Sequence, residues 1–315
     1  MKTYRFKLHP RTAFGTPLLG ETLFGSLCWA IRHQFGEEKL EELLDGYTEG
    51  RPFCVVSDAF PTGFVPLPAL PQRLWNTSST DDRKYLKKKA WLPFNCLKDA
   101  QREEWRNLAR TDAEALLDLN PSGGEGTSLR FDGEAPHNTI NRETLTTGEG
   151  EFAPYLQSQI WHHQCIALDV YVVLDEERFA LEDLVSTLVS VGLTGFGRDA
   201  SIGLGKYEID EEPEVVQDDK ESCTCLALAS CALGEVENID SKGTFYRVKT
   251  HFGRHGAEYA IGGQPFKKPI LLAQSGAVIA LKTNHRAPIT GQGLTGISNQ
   301  CANTVHQGYC PVIHI

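Results

Sequence analysis

Residues 161–174, WHHQCIALDVYVVL, lead into 177–193, ERFALEDLVSTLVSVGL, and then into 193–209, LTGFGRDASIGLGKYEI. The first stretch ends in β-branched and aromatic residues and reads as extended. The second places its leucines and valines at helical spacing, and KYEI reads as extended again. The order is strand, helix, strand, with a glycine-rich loop at the second junction.

The same order occurs at the start of the chain. TYRFKLHP (3–10) alternates polar and apolar residues and stops at Pro10. From Glu21, the residues Leu23, Phe24, Leu27, Cys28 and Ile31 fall on one helical face, Gly36 is a stop, and a short helix follows over 37–44. PFCVVSD (52–58) is a second strand, and the prolines of AFPTGFVPLPALP (59–71) forbid regular structure there. The two units read as a diverged internal duplication.

Residues 72–120 change character. DDRKYLKKKAWL is basic, and DAQREEWRNLARTDAEALLDL is mixed-charge and helical, which marks an insertion. Residues 121–150 are rich in Gly, Ser, Thr and Asn and read as a long working loop. After an acidic linker, three strands are expected within CTCLALASCAL, GTFYRVKTHFG and KKPILLAQSGAVIAL. The fold expected is α+β: two ferredoxin-like domains, 1–150 with an inserted thumb-like segment at about 72–130, and 151–315 carrying the glycine-rich loop.

At 315 residues with 41% apolar content, the chain can bury a sizeable core. Its net charge of -10 argues against a protein that coats nucleic acid through a uniformly basic surface, while leaving room for a local basic groove. Nine cysteines, with no secretory start before them and no regular framework, suit a reducing cytoplasm. Cys223, Cys225 and Cys231 lack the paired spacing of a tetrahedral zinc site, so no metal is expected. No apolar run reaches the eighteen residues that a membrane span needs.

The glycine loop follows a helix and precedes a strand, the reverse of a dinucleotide fingerprint. Gly195, Gly197, Gly203 and Gly205 offer amides that a phosphate can approach, while Arg198 and Lys206 add charge and Ser201 a hydroxyl. The plainer alternative is a turn that only crosses a sheet edge. Gly20, Thr22 and Ser26 open the first helix, where capping and phosphate binding use the same groups. His137, Asn138, Asn141 and Arg142 combine two-sided amides with a planar guanidinium, suited to RNA or to a loop fixed by Asx turns. Lys84, Lys87, Lys88 and Lys89 form a charge run bracketed by Tyr85 and Trp91, either a solvated face or a strand-crossing surface. His33, His137, His162, His163, His251 and His255 could supply acid–base chemistry to an RNA-cleaving enzyme, but no constellation among them is visible.

Residues 20–44, 52–71, 137–154 (HNTINRETLTTGEGEFAP), 193–209 and 266–281 (FKKPILLAQSGAVIAL), with the tail TVHQGYCPVIHI, together resemble the fourth-subunit family of the Csm complex. That family is the Cas five-type, handle-capping branch of the RAMP superfamily in type III CRISPR effectors. The resemblance covers the chain in order and is weakest over 72–130. It implies a non-catalytic, cofactor-free, cytoplasmic RNA-binding subunit that grips the 5′ handle of the crRNA. It also implies docking on the large polymerase–cyclase subunit and nucleation of a filament of Cas seven-type backbone subunits. The glycine loop would lie against the RNA backbone, with Asn141 and Arg142 as further contacts. Alternatives are a Cas five-type subunit of an effector that recruits a separate nuclease, and a metal-independent repeat-RNA endoribonuclease.

Overall fold

The computed structural model describes residues 1–76, 82–121, 128–218, 220–234, 236–261 and 264–315. The parts of the inserted segment at 77–81 and 122–127 lie outside them.

The strand Leu168–Leu174 is buried along its whole length and sits in the middle of the central sheet. On one side it pairs antiparallel with Lys2–Pro10, from Lys2↔Leu174 to Leu8↔Leu168. On the other it pairs with Cys54–Val56 and Phe60–Pro61. The outer edge of Lys2–Pro10 carries Tyr207–Ile209 and Glu214–Val215. Helices Gly20–Phe35 and Leu181–Thr194 complete a strand, helix, strand, strand, helix, strand order around this sheet.

Each face of the sheet has a cover. Leu23, Phe24, Leu27 and Ile31 of the first helix and Leu184, Leu188 and Val191 of the second pack with Val170 and Val172 of the central strand. On the opposite face Tyr171 packs with Leu226, Val278 and Ile313 of a second, four-stranded antiparallel sheet, and with Leu228 just past one of its strands. That sheet has the order Val278–His285, Ser222–Ala227, Tyr309–His314, Ile289–Gly291. A fully buried Leu, Ile or Val side chain stabilises by roughly 1.5–3 kcal/mol, so this three-layer arrangement accounts for why LDVYVVL has almost no polar residue. The exception, Asp169, accepts from the Gly63 amide at 2.8 Å and has the Arg5 guanidinium 3.8 Å away.

The two strand–helix–strand units therefore belong to one sheet, and a boundary at residue 150 would cut through the pairing of Lys2–Pro10 with Leu168–Leu174. Among the described residues no α-helix follows Leu181–Thr194. The first helix ends at Gly36, φ +93°, and Glu37–Leu44 forms the short helix expected after it. In 59–71 short strands form at Phe60–Pro61 and Phe64–Pro66. The third stretch of expected late strands divides into Ile270–Ala273 and Val278–His285, the first paired with Val248–His251.

The inserted segment is packed rather than projecting. Leu92, Leu97 and Trp105 are buried with the core of the second sheet. Its expected long helix is broken into Trp105–Leu108 and Asp112–Leu119, because Thr111 and Glu114 form a reciprocal capping box that starts a new helix. An exposed element lies elsewhere: Arg130–His137, inside the stretch 121–150 read as a working loop, pairs through eight residues with Tyr155–His162, beyond it, as a two-stranded ribbon. Phe14 bridges to Ile160 near its base.

Candidate nucleic-acid interface

Four of the loop's glycines have positive φ: Gly195 (+100°), Gly197 (+75°), Gly203 (+97°) and Gly205 (+74°). Their roles differ. The Gly195 amide donates to Val191 O at 2.9 Å and ends the helix, and a Cβ there would meet Leu204 O. The Gly205 amide donates to Ala13 O at 2.7 Å, and a Cβ there would fall on the Phe196 backbone. These two glycines serve the fold. The Gly203 amide donates to Ala200 O at 3.0 Å. The Lys206 amide donates to Thr12 Oγ1 at 2.9 Å, leaving its side chain exposed.

Between these anchors the amides of Gly197, Asp199, Ala200 and Ser201 have no acceptor within the described fold. Asp199 is left-handed at φ +66°, and a short 3-10 turn, Ala200–Ile202, follows. Three successive N–H groups at such a turn form an anion-binding concavity. Side-chain contacts anchor the loop behind them. The Arg198 amide donates to Thr16 Oγ1 at 3.0 Å, and its guanidinium donates to Ser158 O at 2.7 Å and lies 3.1 Å from Asp199 Oδ2. Arg198 thus ties the loop to the ribbon and to segment 12–16, a positioning role beyond the charge expected of it.

The ribbon brings together groups far apart in the sequence. On one face the cross-strand pairs are Phe131↔Trp161, Gly133↔Gln159, Ala135↔Gln157 and His137↔Tyr155. Phe131 and Trp161 stack with ring centroids 6.3 Å apart and planes 7° apart, yet are 60% and 41% exposed. His137 and Tyr155 stack at 5.5 Å. Gln157 lies between the two ring pairs, and its Oε1 is buried without a hydrogen-bond partner. Exposed rings around small and amide residues make a platform for unstacked bases.

At the tip, Asn141 is committed to the loop. Its Oδ1 accepts from the Glu143 amide at 2.8 Å, and its backbone bridges to Thr146, the Asx-turn alternative considered from the sequence. Asn138 and Arg142 are exposed beside it.

The first helix terminus is a different environment. The Gly20 amide donates to the buried Asp58 carboxyl at 2.8 Å, and Glu21, also buried, is 2.7 Å from Lys249 Nζ and 3.4 Å from His251. Burial, then the Glu21 charge, pushes the Asp58 carboxyl up to about 7. Burial works to raise Glu21 as well, but the His251 hydrogen bond and the Lys249 charge hold it at about 2. The Gly20 amide is taken up by Asp58 and is not open to a phosphate. Gly20 is therefore used by the fold. Thr22 and Ser26 lie half-buried above it, with Ser26 Oγ donating to Thr22 O at 3.2 Å.

The remaining candidates are dispersed. Lys84, Lys87 and Lys88 are exposed on helix Arg83–Lys88. Tyr85 hydrogen-bonds Glu114 through its hydroxyl and has Lys89 Nζ 5.5 Å from its ring centroid, and the half-buried Trp91 donates from Nε1 to Asp112 at 2.6 Å. His33 stacks on Trp29, His162 lies edge-on to Phe14, the His163 ring accepts from the Cys165 amide, and His255 bonds Ser298 at 2.8 Å. Burial, with Arg130 adding, pushes His162 down to about 4. His251 is beside His306, which burial and His251 push down to about 3. Among the described residues no group of three or more His, Cys, Asp or Glu could hold a metal ion, and no helix is long and apolar enough to cross a membrane. Cys225 and Cys231 are buried in the second sheet's core, while Cys223 bonds Asn284.

No protein-family model and no curated protein matches this chain. Solved structures do. Over 99% of its length the chain is similar to 99% of a chain of the Csm3-Csm4 subcomplex in the type III-A CRISPR-Cas interference complex, with a TM-score of 0.62 and 13% identity. It is similar, again over 99% of its length, to 98% of a chain in the Csm1-Csm4 cassette bound to pppApA, with a TM-score of 0.56 and 15% identity. The same cassette bound to AMPPNP gives the same TM-score and identity. The neighbours are Csm4 chains, and at this identity the likeness is one of fold.

Proposed function

We propose that this chain is the Cas five-type subunit of a type III-like CRISPR effector ribonucleoprotein, and that it binds and caps the 5′ handle of the crRNA without cleaving it. The end-to-end likeness to Csm4 carries the reading. The geometry supports it: open amides at Gly197, Asp199, Ala200 and Ser201 would hold phosphates, and the ribbon's rings and glutamines would take splayed bases. Phosphate contacts fix register, and base contacts supply the handle's identity.

In this reading the chain is two RAMP domains sharing one interface. The central sheet with its two helices is the ferredoxin-like domain, and the second sheet is a reduced partner domain without its helices. The ribbon, rather than the packed insertion at 72–130, is the thumb-like element. A large Csm1-type subunit and a Csm3-type backbone subunit are its protein neighbours, the latter seated first in the filament.

The test is retention of guide RNA in the assembled particle, purified with wild-type chain, Arg142→Ala or Gly197→Ala. Both variants should lose handle protection while the chain still assembles. Unchanged protection in both would overturn the assignment. Incubation of the pure chain with its repeat RNA in chelator should leave the transcript whole.

A further inference from the structure

A second surface has the chemistry of a polyanion site and lies outside the glycine loop and ribbon. Strand Val248–His251 pairs with Ile270–Ala273, with Thr250 opposite Leu271. By the two-residue period, Tyr246, Val248, Thr250 and Phe252 share the face turned from the core, and all four are exposed, as is Leu271. Arg254 bridges to Phe266, its guanidinium 5.8 Å from the ring centroid. Phe252 and Phe266 are 69% and 66% exposed.

The charge of this segment opposes that of the chain. Residues 246–271 contain Arg247, Lys249, Arg254, Lys267 and Lys268 against one carboxylate, Glu258, in a protein of net charge -10. Lys249 turns inward to Glu21, and Lys267 is half-buried. Arg247, Arg254 and Lys268 remain exposed, and among the described residues none of them pairs with a carboxylate. At the Tyr246 end lies a groove of about 350 Å³ lined by Leu70, Pro71, Tyr246 and Arg247, within the size range of ligand pockets. Arg106 is nearby, its Nε buried without a partner; burial, then the charge of Arg247, pushes its pKa down.

Aromatic residues and Arg are enriched at protein–protein interfaces too, where Lys and carboxylates are depleted. Here each ring is followed by a cation: Tyr246 by Arg247, Phe252 by Arg254, Phe266 by Lys268. Interleaving of that kind suits a strand in which base and phosphate alternate. With strand Val248–His251 at its centre, Tyr246 to Phe252 spans at most about 20 Å of extended chain, the length of up to roughly six stacked nucleotides at about 3.4 Å each.

We propose that the strip from Tyr246 through Phe252 to Phe266 is a second surface for single-stranded nucleic acid, with the rings stacking bases and Arg247, Arg254 and Lys268 neutralising phosphates. It stands apart from the handle site, and neither requires the other.

The full chain is titrated with fluorescein-labelled oligouridine RNA and the matching oligothymidine DNA over a range of salt, and bromouridine RNA is photocrosslinked and mapped by mass spectrometry. Wild type should bind both, since stacking and phosphate contacts are common to RNA and DNA. Crosslinks should fall at Tyr246, Phe252 or Phe266. Phe252→Ala with Phe266→Ala should weaken binding by roughly tenfold or more. Arg254→Glu should reduce the slope of log affinity against log salt by about 0.7 or more. Arg142→Ala should leave the strip crosslinks in place, which separates this site from the ribbon. Crosslinks confined to the ribbon and glycine loop, with strip variants binding as wild type, would overturn the proposal and leave the handle reading intact. Strip variants that lose a protein subunit from the particle but bind oligonucleotide normally would also overturn it, in favour of protein docking.

Discussion

Gly197→Ala should unlatch the glycine loop, whereas Gly203→Ala should only strain it. Both positions have positive φ, +75° and +97°, where an alanine costs about 1–2 kcal/mol. They differ in what a Cβ would meet. At Gly203 nothing lies within 4 Å, whereas at Gly197 a Cβ would be 2.8 Å from Thr16 Cβ and 2.9 Å from its Oγ1. That hydroxyl accepts the Arg198 amide, so relieving the clash breaks a hydrogen bond of about 1 kcal/mol. The total is about 2–3 kcal/mol for Gly197→Ala against about 1–2 kcal/mol for Gly203→Ala. Because the loop is a local unit, the loss should appear as faster amide exchange at Arg198 before it appears in global unfolding. Handle affinity should fall about tenfold or more in Gly197→Ala, because the open amides act as a set, each charge-assisted bond contributing about 1.5–3 kcal/mol. Gly203→Ala should bind within a few-fold of wild type. Equal Arg198 exchange in the two variants would refute the Thr16 latch. Faster exchange in Gly197→Ala without loss of RNA affinity would refute the loop as a phosphate holder.

Arg142→Ala removes an exposed charge at the ribbon tip, so the salt slope of guide binding should drop by about 0.7 with the urea midpoint unchanged. Trp161→Ala should weaken handle binding by about 1–3 kcal/mol, read by filter binding, with a smaller effect on stability than a core tryptophan because the ring is 41% exposed on the ribbon. Gly192→Ala should destabilise the fold in thermal denaturation despite a helix-propensity gain of about 1 kcal/mol, because its Cβ would fall on the carbonyl oxygen of Tyr207. Asp58 holds its proton up to about 7 in the fold but only to about 3.9 when unfolded, so the unfolded chain loses that proton first as pH rises. Its contribution to stability therefore falls between about pH 4 and pH 7 and is level above. Asp58→Asn keeps an acceptor for the Gly20 amide and should flatten that decline in urea midpoints measured across the window.

Elements were legible where burial has a period. The helical spacing of Leu23, Leu27 and Ile31, and of Leu184, Leu188 and Val191, marks both long helices, and the unbroken apolar run of LDVYVVL marks the central strand. Which strand lies beside which was not legible. Hydrophobic pattern encodes the face a strand buries, not its partner, so Lys2–Pro10 and Leu168–Leu174 read as members of separate domains until their pairing is seen. The ribbon escaped because RFDGEAPH contains Gly, Pro and charges and has no buried face to impose alternation. The break in the insertion was encoded all the same: TDAE at 111–114 carries the Thr and Glu of a capping box.

The site shows a similar division between residue type and role. Four glycines in a loop announce unusual backbone, but a glycine is required either where φ is positive or where another chain approaches, and sequence does not separate the two. Gly195 and Gly205 answer to the fold, since their amides are bonded and their Cβ positions filled. What separates an anion site from a tight turn is the amides left over, and here they belong to Gly197, Asp199, Ala200 and Ser201. Two of those four residues, Asp199 and Ala200, have no chemistry that a motif would single out. The glycines shape the loop, and the contacts fall on their neighbours. Substitutions that preserve Asp199 and Ala200 side chains while altering φ at Gly197 therefore perturb the proposed site more than substitutions of the side chains themselves.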